Sequence, residues 1–233
     1  PLPVDSGVSF GVPWPRGVVG KGDRFVLSSN GKPMPVQSWP LAYWPDGSIK
    51  FTGLATVVAA GDASPVTLRV GQGTPAGDVR VTKSTGSVIV ETGVLRCSIP
   101  TSGSNIVESM SIGGKEIAVN GQLVCILQHG SQAEFDEAPP RERFVSTIKK
   151  VDVEQSGPVR ATIRIEGMHK GTKTAREWLP FSVRLYFYTG LTSVRRVHTI
   201  VFDGDQEKDF VRGLGLRFAV PMAIAGVAAI GVG

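Results

Sequence analysis

The chain has 233 residues, 41% of them hydrophobic and 19% charged, a balance that excludes a disordered protein and admits one large β domain or two ordinary ones. Net charge is +5 and the pI is about 9.4, yet lysine and arginine are scattered without the basic run or stripe of a nucleic-acid arm. No stretch is long enough to span a bilayer, so neither nucleic acid nor membrane is expected as a partner, whereas a modest basic excess suits a carboxylate-bearing polymer.

In chain order, PLPVDSGVSFG opens without a signal-peptide pattern, as a mature or trimmed protein does. Arg24–Leu27 runs into Asn30-Gly31, a favoured hairpin dipeptide. Strands are expected at Pro35–Trp39 and Leu41–Trp44, a turn at Pro45-Asp46-Gly47-Ser48, then strands at Ile49–Val58 and Val66–Val70. Gly71–Gly77 carries no apolar pattern and is the linker candidate. Beyond it come Val79–Thr82, Ser87–Glu91, Val94–Ile99, a hairpin at Gly113-Gly114, and separate strands at Ile117–Val119 and Leu123–Leu127. Gln128–Glu142 is a polar loop that holds Phe135, Asp136 and Glu137. Long alternating strands follow at Val145–Val153, Val159–Gly167, Phe181–Tyr188 and Ser193–Phe202. No segment has a helical period. The apolar end, AVPMAIAGVAAIGVG, reads as a buried strand pair or a chain cut inside its domain. The fold class is all-β, with domains expected over 1–76 and 78–233.

Alternation assigns faces. If the late strands are neighbours, one face collects Arg160, Arg164, Arg184, Tyr186, Tyr188, Arg196 and His198, opposite Ile163, Val183 and Leu185. Arginine pairs with carboxylates through two parallel bonds, and tyrosine and histidine move protons. Like charges at close range repel, so an anion is expected against this face: a uronate polymer, an acidic neighbouring domain, or Glu166. A plain solvated face is the other reading. Trp14, Trp39, Tyr43 and Trp44 form either a sugar-stacking platform or core packing.

The three histidines, His129, His169 and His198, lack metal-ligand spacing; His169, in a Met-His-Lys-Gly segment, is expected in a solvated turn. Asp203–Glu207 reads as a polar turn. No phosphate loop, nucleophile elbow or dinucleotide fingerprint is present, and no cofactor or metal is expected. Cys97 and Cys125 both point toward a core. They are either two buried thiols or a disulfide between neighbouring strands, which would stabilise by roughly 3–4 kcal/mol.

The segments VSFGVPWPRGVV (8–19) and PVQSWPLAYWPDGSIKFTGL (35–54) resemble the amino-terminal domain of exo-rhamnogalacturonan lyases and their YetA-like relatives. TGVLRCSIPTSGSNIVESMSIGGKEI (92–117) and FSVRLYFYTGLTSVRRVHTIVFDGD (181–205) resemble that family's central sandwich. The resemblance implies a small RIFT-type β-barrel followed by an antiparallel β-sandwich. It also implies a helical α/α toroid as partner domain in the same polypeptide, for which this chain holds no sequence. The implied function is the amino-terminal portion of a secreted, extracellular lyase that cleaves uronate-containing, pectic polysaccharide by β-elimination. A non-catalytic carbohydrate-binding or structural surface module is the alternative.

Overall fold

The computed structural model describes residues 2–72, 76–131 and 137–222. The described residues are organised as strands and connecting turns, with no helix among them. Part of the linker candidate, Phe135 and Asp136 of the polar loop, and all of the apolar end beyond Met222 lie outside the described residues.

The first unit has two three-stranded sheets. β1 (Ser6–Pro13), β4 (Gln37–Tyr43) and β5 (Ile49–Val58) pair in the order β1-β5-β4. β2 (Phe25–Ser29), β3 (Lys32–Met34) and β6 (Val66–Val70) pair as β3-β2-β6. Phe25 and Leu27 point inward by alternation and meet Val19, Val36, Ile49 and Leu54 in the core. Asn30 and Gly31 have φ of 48° and 75°, the left-handed pair that a two-residue hairpin needs to match strand twist.

The two sequence segments that carry the barrel resemblance form one packed unit. Trp14 stacks on Phe25 at 5.6 Å, and its Nε1 donates to Thr52 Oγ1 at 3.0 Å. Trp44 Nε1 donates to the Trp14 carbonyl at 3.1 Å. Arg16 Nε donates to Asp46 Oδ2 at 2.9 Å, while Asp46 Oδ1 accepts from the Ser48 amide and hydroxyl. Those serine bonds, with Arg16 behind them, bring the Asp46 carboxyl down to about 2.

The second unit is built from β7 (Arg80–Lys83), β8 (Ser87–Glu91), β9 (Leu95–Pro100), β10 (Val107–Ile112), β11 (Lys115–His129), β12 (Arg141–Ser156), β13 (Arg160–Gly171), β14 (Glu177–Tyr188), β15 (Arg195–Ile200) and β16 (Asp209–Ala219). They hydrogen-bond in the order β15-β14-β13-β12-β11-β10-β9-β8-β7, with β16 also on β11. β11 is shared: its first half pairs with β10, its second half with β12. The two wings close on a common core, Val88, Cys97, Ile99 and Leu123 from one, Ile163, Ile165, Val183 and Phe187 from the other. The expectation of two short strands at 117–119 and 123–127 is corrected to one, because Asn120 turns left-handed (φ 54°) inside a bulge instead of ending the strand.

Both cysteines are free and buried, and the disulfide is excluded by placement. Cys97 of β9 is in line, through Met110, with Ala118 of β11. Cys125 stands seven positions further along β11, a distance of roughly 23 Å at about 3.3 Å per residue, and packs in a different cluster with Leu127, Phe144 and Trp178. A bridge needs Cα atoms within about 7 Å.

Candidate functional site

Strand register settles which of the predicted site residues share a face. Asp152, Arg164, Arg184 and Val197 lie in one row across β12 to β15. Arg164 and Arg184 therefore point outward, opposite buried Ile163, Val183 and Leu185. The anion expected against them is supplied by the protein. Arg164 reaches Asp152 at 2.8 Å, Glu154 at 3.3 Å and Glu166 at 3.5 Å. Arg184 binds both oxygens of Glu154, at 2.8 and 3.0 Å. Bonding to these carboxylates raises both guanidinium pKa values, so the row is neutralised within the sheet.

Arg196 and His198 are corrected to the other face. They pair with Leu185 and Val183, because β15 docks with Val197 beside Arg184, and this edge strand has no continuous apolar series from which its phase could be read. His198 sits 6.3 Å from Phe181 and 6.2 Å from His169 by ring centroid. Burial, aided by Arg196 and His169, lowers it to about 4. His169 is likewise corrected from a solvated turn to a fully buried position on β13. Its Nδ1 bonds the Leu179 carbonyl at 2.7 Å, and burial lowers its pKa. Leu179 is held left-handed, at φ 52°, between this bond and an amide bond to Asp203 Oδ1 at 2.7 Å.

Arg160, Tyr186 and Tyr188 share the face of Arg164 and Arg184, as expected, and gather at its end, at the joint between the two units. Arg160 opens β13 and is buried. Its Nε and Nη2 donate to Gln155 Oε1, and its Nη1 donates to Ser9 Oγ of the barrel at 2.6 Å. Ser9 Oγ in turn shares a bond of 2.8 Å with the buried Tyr188 hydroxyl. Gln37 Oε1, also from the barrel, accepts from the Val159 and Arg160 amides at 3.1 and 2.8 Å. Two glycines make the approach fit: the Tyr188 ring occupies the space of a Cβ on Gly7, and the Trp39 ring that of a Cβ on Gly53.

The joint leaves a ladder of alternating rings and guanidiniums. The Arg160 guanidinium lies 4.3 Å over the Trp39 ring and 5.7 Å from the Tyr186 ring, and Arg195 lies 5.7 Å from Tyr186 on the far side. Trp39 and Tyr186 are half-buried and Arg195 is exposed. An exposed guanidinium pairs with a carboxylate, and the part of a ring left uncovered takes the C–H groups of a sugar. Of the other aromatic candidates, Trp14 belongs to the barrel core, Trp44 is overlaid by Lys50 at 4.6 Å, and exposed Tyr43 by Lys21 at 4.9 Å.

Sequence reasoning missed Trp39 as a partner of Arg160 and Arg195 as a partner of Tyr186, since nothing local signals a contact between residues as far apart in the chain as 39 and 160. It also missed the far end of the sandwich. There Arg176 binds both oxygens of buried Asp209, at 3.0 and 2.6 Å, and lies 4.9 Å over the Trp178 ring. His129 stands 3.7 Å from Glu142. Among the described residues no cluster of three or more His, Cys, Asp or Glu has the arrangement to hold a metal.

The model of the PcRGLX-like N-terminal RIFT barrel domain matches residues 2–71, and that of the PcRGLX-like central β-sandwich domain matches residues 79–227. The uncharacterised protein YetA of Bacillus subtilis (strain 168) is 42% identical over 217 residues, covering 92% of this chain and 25% of YetA. The chain thus spans about a quarter of the length of that relative. With both of its units matched in sequence and in architecture, the chain belongs to the PcRGLX-like, YetA-like family, as a RIFT barrel followed by the central β-sandwich.

Proposed function

We propose that this chain is the amino-terminal, substrate-holding portion of a secreted lyase that cleaves rhamnogalacturonan-like, uronate-containing glycans by β-elimination. One observation carries the reading: the Trp39–Arg160–Tyr186–Arg195 ladder lies at the seam between two domains, a preferred place for ligand sites. Arg195, the exposed guanidinium at the end of the ladder, neutralises a uronate carboxylate, and the sugar ring packs beside it against the part of Tyr186 that stays exposed. That neutralisation is the part of β-elimination that acidifies the α-proton. The proton acceptor and the acid for the leaving oxygen are assigned to the rest of the polypeptide, in the helical partner domain expected from the resemblance.

A second reading, holding without cleavage, is favoured by the Arg164 and Arg184 row, whose guanidiniums are already paired with Asp152, Glu154 and Glu166. The test that separates the two is incubation of the full-length protein with pectic polymers while following ultraviolet absorbance. A rise from the unsaturated product supports the lyase. Saturable binding with flat absorbance supports the holding module.

A further inference from the structure

A second groove lies on the outer surface of the sandwich, next to the joint but distinct from it. Strand register places Arg80, Glu91, Arg96 and Ser111 side by side across β7 to β10. With Asp78 they line a cavity of about 510 Å³, within the size range of ligand sites. Its walls are the tight turns at Gly93 (φ 93°) and Gly113-Gly114 (φ 57° and 78°). No side chain projects from Gly113 or Gly114 and nothing packs against them, so a ligand can approach the backbone there closely.

The charges in the groove are mixed. Asp78 and Glu91 offset Arg80 and Arg96, and Glu91 pairs with Arg96 at 2.6 Å. A groove without net charge has no preference for an ion. What it offers is a dense set of acceptors from carboxylates and forked donors from guanidiniums, with the Ser111 hydroxyl able to do either. Vicinal hydroxyls of an uncharged sugar use both kinds at once. Exposed Val94 supplies an apolar patch for the sugar's C–H face.

Its position also fits. The Asp78 amide donates to Thr189 Oγ1 at 2.9 Å, and the Gly190 amide donates to the Thr92 carbonyl at 2.8 Å. The groove therefore abuts the turn that directly follows Tyr188 of the joint. We infer that this groove is a subsite for the uncharged sugar residues of a glycan whose acidic residues are held at the joint. The inference deepens the proposed function and rests on it for the identity of the polymer.

The experiment uses the 15N-labelled chain and two probes: a rhamnogalacturonan oligosaccharide, and the same oligosaccharide with its carboxyls reduced to alcohols. The reduced probe is expected to move the amide signals of Gly93, Gly113 and Gly114. The Arg80→Ala, Arg96→Ala double variant is expected to weaken that binding by about tenfold, the loss of one or two hydrogen bonds to charged groups. The Glu91–Arg96 pair is exposed, so the variant stays folded, which its spectrum verifies. Glycine amides that stay still with the reduced probe, or a folded double variant that binds it as tightly as the parent, overturn the subsite. If the acidic probe engages the joint while the groove stays silent, the subsite fails and the joint reading survives. If the reduced probe moves the groove while the acidic probe leaves the joint untouched, the joint reading fails and the subsite stands.

Discussion

Lowering the pH is expected to unload stability through His198 before any carboxylate contributes. Folding takes its imidazole from the usual 6.5 to about 4, because the ring is buried beside Phe181 and His169 and faces the charge of Arg196. A depressed histidine pKa means that the unfolded chain binds the proton more readily. Stability is therefore complete above about pH 6.5, falls as the pH drops toward about 4, and levels off below that. At about 1.36 kcal/mol per pH unit the full effect is about 3 kcal/mol; the ring is only partly buried, and solvent screening brings this to about 2 kcal/mol. His169 acts in the same direction. The lowered carboxylates, such as Asp209 and Asp152, lose their contribution only below about pH 4. The assay is urea unfolding at about pH 7 and about pH 4.5, on the parent and on His198→Gln. The variant should lose much of the parent's decline. A parent equally stable at both pH values, or a variant that declines as steeply as the parent, refutes this reasoning.

Gly53→Ala should lower stability by about 1–3 kcal/mol, since the added methyl meets the Trp39 ring; thermal unfolding with tryptophan fluorescence reads both the loss and the displaced ring. Gln37→Ala strips the acceptor from two backbone amides at the joint, and should cost about 1–3 kcal/mol and speed proteolytic separation of the two units. Cys97 and Cys125, pushed by burial up to about 12 and about 11, should resist alkylation in the native protein and react as two thiols, without reductant, once it is unfolded.

Local signals carried much of the architecture. Period-2 alternation with turn dipeptides located the hairpins at Asn30-Gly31 and Gly113-Gly114, because left-handed backbone there selects asparagine and glycine. The inward series Ile163 and Ile165, and Val183 and Leu185, also marked the core correctly. The phase of β15 was not legible. Alternation says which residues of one strand share a side, and only cross-strand register says which side that is. Arg196 and His198 consequently fell to the wrong face. The charge balance of Arg164 and Arg184 was hidden for the same reason, since Asp152 and Glu154 reach them across strands. The joint was least legible of all. Gly7 and Gly53 look like ordinary strand glycines until the rings that lie on them are seen.

Calorimetric titration of the chain with rhamnogalacturonan oligosaccharides tests whether the joint holds an acidic glycan. Saturable binding that weakens with salt is expected, with a loss of about tenfold in Arg195→Ala, whose exposed side chain contributes little to the fold. Absence of binding, or an Arg195→Ala variant with undiminished affinity, contradicts it.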